Sequence, residues 1–119
     1  MELNEYQVKA MMTCMPSCNN IAYMLTGLNA EAGEVNDKIA KAVRKEQIKI
    51  TRNNLCVWDD RTPANFKEEL AKEIGDVLWF VSGLSKLLGY SLQEIAEMNL
   101  AKLASRQQRG VIDGNGDNR

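Results

Sequence analysis

Apolar residues recur every three or four positions along most of this chain, which is the spacing of one face of an α-helix. Four stretches show that pattern, and each has residues that commonly start or stop a helix. Residues 46–64 lose the period; Ile48-Lys49-Ile50 could form a short strand there, but we expect a loop. Nothing else indicates a sheet. The pattern therefore predicts an all-α fold, a bundle of four helices.

The first two predicted helices are separated by Pro16, which cannot continue a helix. The first covers residues 4–15, and Asn4 with Gln7 resembles a capping box, in which two side chains satisfy free amides at a helix start. The second covers residues 17–45 and has a long apolar stripe along one side.

The third predicted helix opens with Thr62 as its cap and Pro63 at its first helical position. It runs to Leu88, where Gly89 supplies a C-terminal stop because glycine adopts the left-handed conformation that ends many helices.

The fourth predicted helix begins at Ser91, which forms a capping box with Glu94, and ends near Gln108. The residues that follow are too rich in glycine and asparagine to continue it. We therefore divide the chain into a helical domain, residues 1–109, and a C-terminal tail, residues 110–119.

Composition narrows the class of protein. The chain of 119 residues is long enough for one domain, and its net charge of −1 gives no electrostatic case for binding nucleic acid. No apolar run approaches the roughly 18 residues of a membrane span. Three cysteines cannot all pair within the chain, which fits a reducing, cytoplasmic compartment. Four long apolar stripes in so short a chain exceed what one subunit can cover, so we expect a homo-oligomer.

Two matching acidic motifs lie along the apolar stripes of the second and third predicted helices. EAGEV contains Glu31 and Glu34, and EIGDV contains Glu73 and Asp76. In each motif the two acids stand three residues apart, so they share one helix face. If the two stripes pack against each other, the four carboxylates converge at the seam between the helices.

Four clustered carboxylates repel one another unless a cation compensates their charge. The chain has no histidine, and an all-oxygen site favours a hard ion, Mg²⁺ or Mn²⁺, over zinc or copper. The lack of histidine also excludes Ser/His and Cys/His nucleophiles. Gly33 and Gly75, each just before the second acid of its motif, would let a backbone, metal or substrate come close. The alternative is that the acids are only solvated helix edges.

The fourth predicted helix adds a strip of polar and basic residues. Asn99, Lys102 and Arg106 lie at positions i, i+3 and i+7. Arg109 follows where the helix ends. Lysine and arginine bind phosphate oxygens, arginine with a bidentate fork. Lys38, one turn after EAGEV, could serve either a phosphate or a carboxylate. Beside a metal site, this strip would form the other half of a polyphosphate site.

Trp79 and Phe80 follow Asp76 by about one helical turn. Aromatic residues at this spacing usually belong to the core, but next to the acids they could also form a wall that stacks on a nucleobase. Trp58, in the central loop, is a weaker candidate for the same role.

Together, EAGEV, EIGDVLWFV and the helix NLAKLASR resemble the MazG-like branch of the all-α nucleoside triphosphate pyrophosphohydrolases. The closing RGVIDGNGDNR is also similar to the tail of small MazG-like proteins of bacteria and their phages. The similarity extends from about Tyr6 to Arg119, except over the central loop.

This resemblance implies an Mg²⁺-dependent enzyme that converts a nucleoside triphosphate and water to the monophosphate and pyrophosphate. It also implies a homodimer or homotetramer. The metal ligands it implies are Glu31, Glu34, Glu73 and Asp76, and its phosphate contacts are Asn99, Lys102 and Arg106. Our hypothesis is that Glu34 orients the attacking water and that Glu73 is also required for catalysis.

The chain departs from the family pattern in two places. The family often has an acid just before the first acidic pair, where this chain has Ala30. The segment between the two pairs is longer than in compact members, which leaves the choice of substrate open. One alternative is a phosphoribosyl-ATP pyrophosphohydrolase on the same scaffold. Another is a non-catalytic helical dimerisation or regulatory module.

Overall fold

The computed structural model describes residues 1–119, and it confirms the all-α fold with four helices. Helix α1 spans Leu3–Met11, α2 spans Ile21–Arg44, α3 spans Phe66–Leu87 and α4 spans Leu92–Gln108. A short 3₁₀ turn, Pro16–Cys18, lies between α1 and α2. None of the helices has the length and apolar character that crossing a bilayer requires.

The expected central loop contains a small hairpin, so that expectation was wrong in part. Strand β1, Ile48–Ile50, pairs antiparallel with β2, Leu55–Val57. Ile48 is almost fully buried and packs with Ala42 of α2 and Phe66 of α3. The hairpin thus closes one end of the α2–α3 pair. Three residues per strand are too few for alternation alone to distinguish a strand from a loop.

The capping box expected at the start of α1 is absent, and the helix ends at Met11 rather than at residue 15. Asn4 accepts a hydrogen bond from the Gln93 amide at 3.0 Å, and Gln7 accepts one from the Leu92 amide at 3.0 Å. The side chains therefore satisfy free amides at the start of α4 instead of those of their own helix. This contact fixes α1 against the α3–α4 turn.

The start of α3 also differs from the prediction, because the helix begins at Phe66 with Asn65 as its N-cap. The Thr62 hydroxyl accepts a hydrogen bond from the Trp58 amide at 2.9 Å and donates one to the Gln47 carbonyl. Thr62 thus ties the hairpin's two ends together and caps no helix.

Other helix boundaries follow their local signals more closely. The capping box of Ser91 and Glu94 is present at the start of α4. Gly89, after the end of α3, has the positive φ of 84° that was expected of a stop. Helix α2 starts four residues later than predicted, where Asn20 accepts a hydrogen bond from the Tyr23 amide at 2.8 Å.

Helices α2 and α3 form the centre of the fold and run antiparallel. Met24, near the start of α2, packs with Phe80 near the end of α3, whereas Ala42 packs with Phe66 at the opposite end. The closest approaches occur at two glycines. A Cβ atom at Gly27 would overlap the Phe80 ring, and one at Gly83 would overlap Met24.

The folded chain leaves much of its apolar surface uncovered. Only 13 of the 119 residues are buried, and the radius of gyration is 17.7 Å. A compact domain of this length has a radius of about 13 to 14 Å. Ile74 on α3 and Leu100 on α4 are 56% and 66% exposed. Helix α4 in particular presents apolar side chains to solvent.

Candidate active site

Three of the four predicted acids lie together where α2 faces α3. Glu31 comes from α2, and Glu73 and Asp76 come from α3. One carboxylate oxygen of each lies within 4.8 Å of those of the other two. The antiparallel packing produces this arrangement, because it places the middle of α2 opposite the middle of α3. We call Glu31, Glu73 and Asp76 the acid triad.

The electrostatics of the acid triad are those of crowded negative charges. Partial burial raises the pKa of Glu31, and the nearby carboxylates of Asp76, Glu73 and Glu34 raise it further. Glu34 is exposed and does not belong to the triad, although it is close enough to affect Glu31. The arrangement therefore favours any cation that can be shared by the three oxygens.

Lys38 supplies the one positive charge that contacts the acid triad. Its Nζ atom lies 3.1 Å from Oε1 of Glu73, across the seam between α2 and α3. Of the two partners foreseen for Lys38, phosphate or carboxylate, the structure pairs it with a carboxylate.

An aromatic cleft of about 290 Å³ opens next to the acids. It is lined by Tyr23, Glu31, Asp76, Trp79 and Phe80. The Tyr23 and Phe80 rings are 5.6 Å apart, and Trp79 meets Phe80 edge-on at 4.9 Å. Sequence reasoning did not include Tyr23. Its position could have been inferred, because Tyr23, Gly27 and Glu31 follow one another at steps of four residues along one face of α2.

The two aromatic residues that were predicted beside the acids are held differently. Phe80 is buried in the core beneath Gly27, so only part of its ring lines the cleft. Trp79 is half-buried, and its indole N–H donates to the Ala10 carbonyl at 3.1 Å and to the Thr13 hydroxyl at 2.9 Å. Helix α1 therefore fixes the orientation of the indole that borders the cleft.

The glycines of the two acidic motifs face open space. A Cβ atom at Gly33 or Gly75 would contact nothing within 4 Å. Close packing within the chain instead depends on Gly27 and Gly83. Any close approach that requires Gly33 or Gly75 must therefore involve a group from outside the chain.

The basic strip of α4 does not contact the acid triad; the C-terminal tail occupies it. Arg106, whose side chain is 7% exposed, donates to Oδ1 of Asp117 at 3.0 Å and to the Asp117 carbonyl at 3.1 Å. Lys102 lies 3.3 Å from the same carboxylate oxygen. Arg109 donates to the Arg119 carbonyl at 2.6 Å, and Asn99 is exposed. The tail is thus folded back on α4, a contact that sequence reasoning did not predict.

Comparison with known proteins identifies the family to which this chain is related. The MazG nucleotide pyrophosphohydrolase domain matches residues 20–111, a range that contains both acidic motifs and α4. The chain belongs to the MazG family. The Gene 37 protein of Mycobacterium phage L5 is 35% identical over 126 residues, and the alignment covers all of both chains. No solved structure matches the chain significantly.

Membership in the MazG family gives the fold and the general class of reaction, that of the nucleotide pyrophosphohydrolases. The matched range includes the acid triad, Glu34, Lys38 and the basic strip. It excludes α1, although α1 orients Trp79 at the cleft, and it stops before Asp117. The full-length match to the phage relative extends over both of these parts.

Proposed function

We propose that this MazG-family protein hydrolyses a nucleoside triphosphate to the monophosphate and pyrophosphate in an Mg²⁺-dependent reaction. The observation that carries the proposal is the acid triad beside an aromatic cleft, where three carboxylate oxygens lie within 4.8 Å of one another. A charged polyphosphate and a planar base need these two neighbouring environments.

The donor set of the acid triad fits a hard divalent cation. All three ligands are carboxylates, they come from two rigid helices, and the raised pKa of Glu31 indicates that their charge is under-compensated. Mg²⁺ prefers this oxygen chemistry, and Mn²⁺ can substitute for it. When bound, the ion supplies charge that neutralises triphosphate oxygens and lowers the pKa of nearby water.

A residue beside the triad can accept the proton that the reaction releases. Glu34 is exposed beside the cluster, so it can accept a proton from the attacking water while Glu31, Glu73 and Asp76 remain ligands. The water oxygen then bonds to the α-phosphorus, and the bond from that phosphorus to the bridging oxygen breaks. Pyrophosphate leaves with the electron pair of that bond.

The cleft provides a place for the nucleoside. Tyr23 on α2 and Trp79 on α3 border the cleft, and Phe80 forms its floor. A base stacked between these rings would hold the α-phosphate near Glu31 and Asp76, which line the same cleft. Stacking of this kind contributes about 1–3 kcal/mol per base and tolerates different bases.

The phosphate end is assigned to the basic strip of α4, formed by Asn99, Lys102, Arg106 and Arg109. Lys102 and Arg106 already bind an anionic group, because both contact the same carboxylate oxygen of Asp117. A phosphate group would have to displace that carboxylate. Because α4 does not contact the acid triad within one subunit, joining the two sites requires movement or a second subunit.

We also propose that the active form is a homodimer or homotetramer. The extended shape of the subunit and the exposed apolar residues of α4 support this proposal. A second copy would bury Leu100 and its neighbours, and it could bring another α4 to the open space beside Gly33 and Gly75.

A substrate panel tests the proposed reaction. Canonical, deoxy- and modified nucleoside triphosphates, together with phosphoribosyl-ATP, would be incubated with Mg²⁺, and pyrophosphate and monophosphate would be quantified. We expect at least one nucleoside triphosphate to yield both products in equal amounts. Hydrolysis of phosphoribosyl-ATP alone would replace this proposal with that of the related enzyme, and no release from any compound would indicate a non-catalytic module.

Paired variants then locate the reaction. Glu73→Gln should lower pyrophosphate release at least a hundredfold, because it removes one ligand charge from the triad. Glu68→Gln, an exposed change on the same helix, should leave the rate near that of the unmodified protein. Equal rates for the Glu73→Gln and unmodified proteins would exclude Glu73 from the mechanism.

A further inference from the structure

The ion pair between Lys38 and Glu73 differs from every other ion pair in the molecule. The others join residues within a helix turn or a loop, or join α4 to the tail. Lys38 instead connects α2 to α3, and its partner belongs to the acid triad. The pair is also sheltered, since the two side chains are 32% and 18% exposed.

The geometry of this pair leaves part of Glu73 free. Lys38 contacts Oε1 at 3.1 Å, and a carboxylate has a second oxygen that can still accept a ligand bond. A flexible glutamate side chain held at one oxygen has fewer orientations for the other. The lysine charge also compensates one of the three negative charges that the triad carries when ionised.

We propose that Lys38 is a positioning residue that orients Glu73 towards Glu31 and Asp76 and, by its charge, limits how tightly the acid triad binds a divalent cation. The inference rests on the proposed function in one respect, that the triad is the cation site. The proposal predicts that removing Lys38 changes cation affinity and reaction rate in opposite directions. Without Lys38, the cation should bind more tightly, yet the reaction should be slower because Glu73 is less well oriented.

The test compares Lys38→Met, which removes the charge but keeps a side chain of similar length, with Lys38→Arg, which keeps the charge. Binding of Mn²⁺ to each nucleotide-free protein would be titrated by the paramagnetic signal of the free ion. We expect Lys38→Met to bind Mn²⁺ about tenfold more tightly than the unmodified protein. Lys38→Arg should bind Mn²⁺ within about twofold of the unmodified protein, because it keeps the positive charge. The two variants should differ because a doubly charged ion responds strongly to one nearby charge.

A matched control separates this effect from net charge. Lys72→Met removes a lysine that pairs with Glu68 and Glu69 on α3 and has no contact with the triad. Its Mn²⁺ affinity should equal that of the unmodified protein. Melting temperatures in EDTA and in Mn²⁺ give a second readout: the midpoint rise on adding Mn²⁺ should be larger for Lys38→Met than for Lys72→Met.

Pyrophosphate release at saturating Mn²⁺ completes the test. Lys38→Met should have a lower kcat despite its tighter ion, and Lys38→Arg should recover much of the loss. If Lys38→Met binds Mn²⁺ with unchanged or weaker affinity, Lys38 is only a clamp between two helices and the inference is wrong. Absence of Mn²⁺ binding by the unmodified protein would instead contradict the proposed function itself.

Discussion

Two clusters in this molecule gather side chains of like charge, and they differ in how far the rest of the chain compensates that charge. The acid triad gathers three carboxylates and has one lysine as a partner, so its charge is under-compensated. The basic strip on α4 gathers Lys102 and Arg106, and the tail supplies Asp117 to both. The first cluster therefore keeps negative charge that an external cation would compensate, whereas the second is paired with an internal anion that any other anion would have to displace.

The largest effect should follow from a change within the acid triad. Asp76→Asn should reduce pyrophosphate release at least about a hundredfold, because one of the three proposed metal ligands loses its charge. In EDTA the same variant should melt at a slightly higher temperature, because repulsion with Glu31 and Glu73 is relieved. Asp59→Asn, in the central segment, is the control. A melting temperature in EDTA that drops for Asp76→Asn would mean that the triad is stable without a cation.

A smaller effect should follow from a change in the tail. Asp117→Asn should tighten the binding of inorganic pyrophosphate about two- to fivefold, because the anion no longer competes with an exposed carboxylate for Lys102 and Arg106. Isothermal titration would measure the affinity. Asp113→Asn, which alters the same tail without removing an ion pair, should change nothing. Weaker binding by Asp117→Asn would show that the tail shapes the phosphate site rather than blocking it.

The two clusters should also respond to pH with opposite signs. Hydrogen bonds and charge from Arg106 and Lys102 lower the pKa of Asp117, so its stabilising contact is complete above the ordinary aspartate value and is lost as pH falls through the lowered pKa. The pKa of Glu31 is raised, chiefly by burial, so the folded state binds that proton more tightly than the unfolded state does. Its contribution therefore favours folding as pH falls through the raised pKa.

Melting temperatures of Glu31→Gln and Asp117→Asn, measured against pH in EDTA and compared with the unmodified protein, would resolve these two contributions. The Glu31→Gln difference should shrink as pH falls through the raised pKa of Glu31. The Asp117→Asn difference should persist to lower pH before it disappears. Parallel curves for the two variants would mean that neither cluster titrates as described.

The smallest effect concerns the open space beside the acid triad. Gly75→Ala should stabilise the folded chain by about 0.5–1 kcal/mol, because alanine is the better helix former and its Cβ meets nothing. Gly27→Ala should instead destabilise it, since the Cβ would overlap Phe80. Denaturant unfolding measures both. If Gly75→Ala is stable but inactive, a substrate or a second subunit needs that space.

The sequence was sufficient to predict the fold class and the approach of the two acidic motifs. Both depend on helical periodicity, which places Glu31 on one stripe and Glu73 with Asp76 on another. Local signals were less reliable for helix starts. Asn4, Gln7 and Thr62 have the side chains of helix caps, but each bonds to a distant segment, and local sequence does not reveal which amide a cap will serve.

The remaining differences depend on contacts between segments far apart in the chain. The pairing of Arg106 with Asp117 requires the tail to turn back at Gly110, which has a positive φ of 69°. Gly33 and Gly75 repeat at matching positions of the two acidic motifs, yet the close packing of α2 and α3 depends on Gly27 and Gly83. A repeated motif indicates a candidate site. Which glycines the helix packing requires can be seen only once the facing surfaces of α2 and α3 are known.

Anomalous diffraction from crystals grown with Mn²⁺ would show most directly whether the acid triad is a cation site. The proposed metal centre predicts a strong peak between carboxylate oxygens of Glu31, Glu73 and Asp76, within coordination distance of each. The peak should persist when a non-hydrolysable nucleotide is added. Crystals at saturating Mn²⁺ with no peak between these three side chains would contradict the metal centre and the reaction built on it.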